Sequence, residues 1–390
     1  MLLLTGALLT GLALHPFTTY PLSLRLLRRP PPAPLPPALP AAGGALPSVT
    51  VCMCAYNEAA VIEAKARNLI ALADATPGDV QLLVYVDGQT DATAALLEPF
   101  ADRITVVAAP ERHGKSHGMR HLAGMARGEL LVFTDANVMI DPQALNALRR
   151  HFADPRVGCV CGHLLYGNQV VSDTSAVNSA YWSLEERIKQ AESDHGMVIG
   201  ADGSLFAVRR ALNPPVPDDI IDDFFVSLSI LCDGHRVIRA PDVLAHEESV
   251  VDRKEEFRRK VRISCQAFNV HRLLWPRLKR LPALPLYGYV SHKLLRWMVA
   301  PLLTLAALCF LAAAFRFLPA WLVLGAAGLG LAGAVAAVRL RIGPAQKVWE
   351  VWLAFCATAL GVLRSLKGER FQTWAPAQSI RGGAAARARS

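Results

Sequence analysis

Residues 48–152 alternate between short apolar runs and longer amphipathic stretches, and this alternation limits the possible folds more than any other feature of the chain. Four runs rich in Val, Ile and Leu predict strands: SVTVCMC, VQLLVYVD, ITVVAA and GELLVFTDA. The stretches that follow them carry apolar residues at helical spacing. Strands that alternate with helices in this way predict an α/β domain, in which a parallel sheet is covered by helices on both faces.

Polar residues stand where the predicted strands end. The first strand leads into the segment AYNE at 55–58, and the second ends at Asp87. The fourth ends at Asp135, with Asn137 two residues later. Ligands of such sheets bind at the carboxyl ends of the strands. Carboxylates and amides at this edge are the groups that a metal-assisted nucleotide site needs.

Three apolar segments predict membrane contact. Residues 1–24 are expected to form an N-terminal membrane anchor, because no Lys or Arg precedes the apolar stretch as it would in a signal peptide. Residues 25–47 are expected to be a proline-rich linker, which is semi-rigid and extended. Residues 297–339 are expected to form two transmembrane helices, because the segments 297–315 and 318–338 are uncharged and each is close to the ~20 residues that such a helix needs.

The basic residues are clustered beside these apolar segments, and the formal net charge is +9. Clusters at 25–29, 253–280 and 364–389 fit the positive-inside rule better than nucleic-acid binding, so no nucleic-acid partner is expected. Membrane lipids are expected partners, and the protein is placed in the inner (plasma) membrane as a multi-pass protein with a cytosolic catalytic domain. Residues 266–296 predict an amphipathic interfacial region, and 340–390 an interfacial helix with a basic tail.

A set of motifs resembles a known family. They are CAYNEA (54–59), VDGQTDAT (86–93), GKSHGMRHLAGMARGELLVFTDAN (114–137), GADGSLFAVRR (200–210), IDDFFVSL (221–228) and RRKVRI (258–263). Their order and spacing resemble a membrane-bound family 2 glycosyltransferase with a GT-A fold, similar to bacterial exopolysaccharide and cellulose-synthase-like synthases. The resemblance covers about residues 48–265 and implies that this region is the GT-A glycosyltransferase domain.

The resemblance also implies roles for individual residues. The residues expected to bind the nucleotide-sugar donor are Ala55, Tyr56, Glu58, Asp87, Lys115, Asp135, Arg259 and Arg262. Asp135 and Asn137 occupy the metal-binding DxD-type motif, and the expected cofactor is Mg²⁺ or Mn²⁺. The acceptor side is expected at Gly200, Ala201, Asp202 and Gly203.

Catalysis is assigned to the acidic pair in IDDFFVSL. Asp223 is the expected general base, and Asp222 is the alternative. Sugar transfer independently requires a base for the acceptor hydroxyl and positive charge at the departing diphosphate. The resemblance implies an inverting hexosyltransferase that uses a nucleotide-sugar donor. The expected donor is a UDP-sugar. The expected acceptor is a lipid-linked saccharide or a growing surface polysaccharide.

The sequence departs from the family pattern in two places. Asn137 replaces the second acid of the DxD motif with a neutral amide, which weakens the charge offered to a metal. RKVRI stands where processive synthases have QxxRW, so both repeated and single transfer stay open. Three other functions are alternatives for this sequence: an inactive sugar-nucleotide or polymer-binding partner, a P-loop hydrolase and a transporter subunit. The P-loop glycine is absent, since Ala109 occupies its position.

Overall fold

The computed structural model describes residues 1–27, 46–166, 173–247, 253–340 and 342–373. Within these ranges, the side chains of 166, 173–182 and 253 are not described. Most of the predicted linker and of the predicted basic tail therefore lie outside the described residues.

Eight strands form one mixed sheet in the described part of the chain. They are β1 Val49–Ala55, β2 Val80–Asp87, β3 Thr105–Ala109, β4 Leu130–Asp135, β5 Met139–Ile140, β6 Val157–Tyr166, β7 Leu205–Arg209 and β8 Arg236–Glu247. The strand order is β3-β2-β1-β4-β7-β6-β8-β5.

The sheet has a parallel half and a mixed half. Strands β3, β2, β1 and β4 are parallel, as the alternating pattern predicts. Strand β7 then pairs antiparallel with β4 and with β6, while β6 and β8 are parallel to each other. Because Cys54 pairs with Asp135 and Ala55 with Val86, the polar ends of β1, β2 and β4 meet at one edge. This is the predicted α/β class, with a sheet that is mixed rather than parallel throughout.

Helices cover both faces of the sheet and continue into an apolar region. They are α1 Leu2–Leu14, α2 Thr19–Leu26, α3 Ile62–Asp74, α4 Thr93–Leu97, α5 Lys115–Met125, α6 Ala144–His151, α7 Asp173–Asp194, α8 Asp222–Cys232, α9 Arg253–Leu278, α10 Ala283–Tyr289, α11 Leu295–Trp297, α12 Val299–Ala314, α13 Ala320–Arg339 and α14 Gly343–Leu366. A short π-helix, Val290–Leu294, connects α10 to α11.

The central strands are buried on both sides because successive side chains point to opposite faces. On β1, Cys52 belongs to the apolar layer on one face, and Val51 and Met53 to the layer on the other. Full burial of one Val or Met side chain contributes ~1.5–3 kcal/mol. These two apolar layers fix the sheet from both faces, and the candidate site lies at its polar edge.

Two helices are long and apolar enough to cross a membrane among the described residues, and this indicates membrane association. Helix α13 coincides with the second predicted span, 318–338, and α14 is the other. The first predicted span, 297–315, forms the shorter α12, which joins the preceding helical segment at a bend of 67°. At the N-terminus, Leu2–Phe17 and Thr19–Leu26 are a similar pair, bent by 59°.

Helix α14 is longer than the thirteen-residue apolar segment 351–363 that the sequence marks as interfacial, since it has 24 residues. Its second half packs against α9. Gly361 lies so close to α9 that an added Cβ would stand 2.5 Å from the carbonyl oxygen of Val261. Ser365 is fully buried and donates a hydrogen bond to Asn269 at 2.6 Å. This packing joins the apolar helices to the sheet domain.

Candidate active site

The loops after β1 and β2 are tied together at the polar edge of the sheet. Asn57 adopts a left-handed backbone conformation with φ of 53°. Its side-chain nitrogen donates to Thr90 Oγ1 at 3.0 Å, and the Thr90 N–H donates to its side-chain oxygen at 2.9 Å. The Tyr56 ring lies 3.6 Å from the guanidinium of Arg112. The segment 55–58, predicted to line the nucleotide base, is thereby held at the sheet edge.

Asp87 organises the next loop. One of its carboxylate oxygens accepts the His113 N–H at 2.7 Å, and the other accepts the Gly114 N–H at 2.9 Å. Asp87 is only 2% exposed. The sequence predicts contact between this acid and the base or ribose, and the structure shows that it also anchors the loop in front of α5. That loop delivers Lys115 to the site.

Lys115 and Asp135 form the ion pair at the centre of the edge. The Lys115 ammonium lies 2.7 Å from Asp135 Oδ1. Burial opposes the charge on Lys115, but the carboxylates of Asp135, Asp222 and Asp223 outweigh it and raise its pKa. Lys115 is therefore a permanent cation beside the residues expected to hold the donor.

The two candidate bases at the start of α8 have different surroundings. Asp222 is buried, and one of its oxygens has no hydrogen-bond partner. It lines a small internal pocket with Met119, Phe133 and Phe206. Asp223 is partly exposed, and burial together with the charge of Asp222 raises its pKa to about 7. An acid with a pKa near neutrality can both take and release a proton under ordinary conditions.

Gly203 lies beside both Asp223 and Lys115. An added Cβ at this position would lie 2.8 Å from Asp223 Oδ2 and 3.2 Å from Lys115 Nζ. The absence of a side chain therefore makes room for both groups. This residue of the predicted acceptor segment therefore adjoins one of the two candidate catalytic acids.

The rest of the acceptor segment, 200–202, rests against α7 and α8. Gly200 has a positive φ of 93°, and a Cβ there would stand 2.5 Å from the Phe224 ring. The Ala201 N–H donates to Ser227 Oγ at 3.0 Å. Asp202 accepts from the buried Lys189 at 2.5 Å. These contacts with α7 and α8 hold the segment in place, and its other side faces Asp223.

The two predicted arginines differ in position. Arg262 is partly buried, and its charge is close enough to Asp135 and Asp223 to interact with both. Burial, with a smaller effect of the Arg259 charge, lowers the pKa of Arg262 to about 10. Arg259 is exposed and donates to Glu256 on its own helix at 2.9 Å. The structure therefore brings Arg262 to the site and leaves Arg259 at its rim.

Glu247 is a site residue that the motifs do not reveal. It ends β8, and its carboxylate accepts a hydrogen bond from Asn137 Nδ2 at 3.0 Å and one from Ser204 Oγ at 3.4 Å. Burial, assisted by the charge of Asp135, raises the pKa of Glu247 to about 7. The sequence signal that could have identified Glu247 is its position as an acid at the end of an apolar strand pattern.

The segment after α14 is a second feature that sequence reasoning missed. Backbone oxygens of Glu369 and Phe371 accept hydrogen bonds from Asn269 at 3.1 Å and from Gln266 at 2.8 Å. Gln372 Nε2 then donates to the His113 oxygen at 3.0 Å, next to Gly114. The segment 369–373 therefore crosses from α9 to the loop that carries Lys115.

Asp135 and Asn137 have the right donor chemistry for a divalent cation. Mg²⁺ and Mn²⁺ prefer carboxylate and carbonyl oxygens. Within the described ranges, no three His, Cys, Asp or Glu side chains converge on one point as a metal cluster. Asp135 is the one acid of this pair, and Asn137 offers a neutral amide oxygen in place of a second carboxylate. A cation here would therefore take further ligands from a bound diphosphate.

The mixed α/β sheet, with an acid and an amide after its fourth strand and an acidic pair opposite, has the GT-A fold. Residues 50–214 match the family model described as Glycosyl transferase family 2, so this domain is a family 2 glycosyltransferase domain.

Individual relatives agree with this class. An N-acetylglucosaminyltransferase of Rhizobium leguminosarum bv. viciae is 24% identical over 217 residues, which are 51% of this chain and 51% of the relative. A beta-monoglucosyldiacylglycerol synthase of a Nostoc species is 30% identical over 122 residues, 30% of this chain and 26% of the relative. The chain thus spans about half the length, or less, of these curated relatives.

A solved structure resembles the whole chain. The mannosyltransferase PcManGT from Pyrobaculum calidifontis, in complex with GDP-Man and Mn²⁺, superposes with a TM-score of 0.70 at 24% identity. The match covers 95% of this chain and 100% of that one. It shows that the sheet domain and the apolar helices share one fold with that enzyme.

Proposed function

We propose that this protein transfers a sugar, with inversion, from a nucleotide-sugar donor to a hydroxyl acceptor, with Asp223 as the general base. The observation that carries the proposal is the position of Asp223, across Gly203 from the Lys115–Asp135 ion pair. A base is thereby held beside the groups that would bind the donor diphosphate. The raised pKa of Asp223 suits a group that must accept a proton near neutral pH.

The proposed reaction is a single displacement. The acceptor oxygen attacks the anomeric carbon as Asp223 takes the hydroxyl proton, and the bond between that carbon and the diphosphate oxygen breaks. Lys115 and Arg262 lie where they would neutralise the diphosphate leaving group. A divalent cation held by Asp135 and Asn137 would add electrostatic stabilisation of the same charge.

The donor is proposed to be a UDP-sugar. Relatives named N-acetylglucosaminyltransferase make UDP-N-acetylglucosamine the first compound to test, and GDP-mannose follows from the complex of the structural neighbour. The proposed acceptor is a lipid-linked saccharide or a surface polysaccharide, since the sheet domain is packed directly on apolar helices.

The proposed location is the inner membrane, with several membrane passages and a cytosolic catalytic domain. Helices α13 and α14 support membrane association, and the basic clusters 253–280 and 364–389 support a cytosolic domain. A fluorescent protein that folds only in the cytosol, fused after Ser390, should fluoresce. An absence of fluorescence beside full expression would reverse the orientation.

The test of function is a donor screen on the purified full chain in detergent. Binding and slow hydrolysis are measured for UDP- and GDP-sugars, with Mg²⁺, with Mn²⁺ and with neither. We expect metal-dependent binding of one donor. D223N should lower transfer by ~10²–10⁴-fold, the usual contribution of a general base, and keep donor affinity. Donor binding without turnover by the wild type would instead identify an inactive sugar-nucleotide-binding partner.

A further inference from the structure

The metal motif of this chain contains one acid where two are typical, because Asn137 is neutral. The fold places another acid beside it. Strand β5 pairs antiparallel with β8, so that Met139 stands opposite His246 and Ile140 opposite Ala245. Continuing this register by one pair sets Val138 opposite Glu247. Asn137 is the next residue along, and its side chain contacts Glu247 although 110 residues separate them.

The contact between these side chains has a defined direction. Asn137 Nδ2 lies 3.0 Å from Glu247 Oε1. Glu247 Oε1 accepts this hydrogen bond and the amide nitrogen donates it, so the amide turns its NH₂ group toward Glu247. The amide oxygen, which is the atom that can bind a hard cation, then points away from Glu247. Ser204, the residue before β7, donates a hydrogen bond to the other oxygen of Glu247 at 3.4 Å.

We propose that Glu247 is a positioning residue of the divalent-metal site: it orients Asn137 with its amide oxygen toward the cation and supplies the negative charge that Asn137 lacks. This inference rests on the proposed function, which requires a metal at Asp135 and Asn137. Partners of metal ligands act in this way elsewhere, and their loss typically costs ~10–100-fold in metal affinity.

The experiment measures Mn²⁺ affinity rather than activity. The purified full chain in detergent is titrated with Mn²⁺ in the presence of UDP, and in parallel GDP, and free Mn²⁺ is followed by electron paramagnetic resonance. E247Q keeps the size of the side chain and a hydrogen-bond acceptor but removes the charge. We expect it to weaken Mn²⁺ binding by ~10–100-fold. The control E63Q, at a half-exposed glutamate on α3, should bind as the wild type does.

The swapped variant N137D/E247Q separates charge from packing. It exchanges the acid and the amide, so it keeps both the hydrogen bond and the net charge. We expect it to recover Mn²⁺ affinity to within a few-fold of the wild type. Thermal unfolding without metal is recorded for every variant. If E247Q does not fold, the swapped variant carries the test alone, and wild-type affinity in it supports the proposal.

Two results would overturn the inference alone: Mn²⁺ affinity of E247Q equal to that of the wild type, or a swapped variant that stays unfolded or weak. A different result would remove the proposed function as well, namely a folded wild type that binds no Mn²⁺ with either nucleotide. The two failures are therefore distinguishable.

Discussion

The ammonium of Lys115 lies 2.7 Å from the carboxylate of Asp135, and this pair connects the donor edge of the sheet to the candidate base. Asp135 ends a parallel strand, whereas Lys115 begins α5. Asp223 approaches from α8, and Gly203 leaves the space in which Asp223 Oδ2 and Lys115 Nζ stand. Three elements of distant sequence thus place one cation between two acids, which makes the ionisation of Asp223 sensitive to its neighbours.

The first prediction concerns pH. Asp223 must be ionised to act as a base, and its pKa is raised to about 7, so transfer should fall as the pH drops through about 7. D222N removes a like charge that raises this pKa, so the acidic limb of kcat/KM should move to lower pH. K115M removes a charge that lowers it, so the limb should move to higher pH. Limbs that coincide in all three proteins would contradict the assignment of the base.

The second prediction concerns Gly203. A methyl group there would come within 2.8 Å of Asp223 Oδ2, so G203A must displace the base or Lys115. A shift of about 1 Å can cost roughly 10²-fold in rate, and we expect a loss of that order in kcat. The control is G124A, because Gly124 on α5 has no atom within 4 Å of an added Cβ. Equal rates in G203A and G124A would mean that the acceptor side is more open than described.

The third prediction compares two arginines on α9. Arg262 interacts with Asp135 and Asp223, whereas Arg259 is exposed and bound to Glu256. A hydrogen bond to a charged group is worth ~1.5–3 kcal/mol, which corresponds to roughly 10–150-fold in kcat/KM. R262A should lower kcat/KM by that factor. R259A should lower kcat/KM by less than about threefold. Steady-state kinetics with the identified donor decide this, and a larger loss in R259A would reverse the assignment.

The fourth prediction concerns the junction of the sheet domain and the N-terminal helices. The fully buried Glu192 accepts hydrogen bonds from Tyr20 at 2.7 Å, His292 at 2.6 Å and the Ile199 N–H at 3.0 Å. Y20F removes one of three bonds and should cost ~1 kcal/mol in unfolding free energy. E192A leaves buried polar partners uncompensated and should cost ~3–5 kcal/mol. Denaturant unfolding in detergent measures both, and equal losses would show that the three bonds do not act through Glu192.

Much of the parallel half could be read from local pattern. The apolar runs of β1, β2 and β4 end at Ala55, Asp87 and Asp135, and the structure brings those ends to one edge as predicted. The antiparallel insertion of β7 between β4 and β6 was not predictable from the same pattern. An apolar alternation shows that a segment is a strand and says nothing about its direction or its neighbour.

The sequence by itself determined the α/β class, the polar strand ends and the apolar helices, because each depends on periodicity within one segment. Only the tertiary structure distinguishes the surroundings of Asp222 and Asp223, since adjacent residues at a helix start point in different directions. It also decided the pairing of Glu247 with Asn137. That contact depends on the register of β5 against β8, which long-range packing sets and no local pattern encodes.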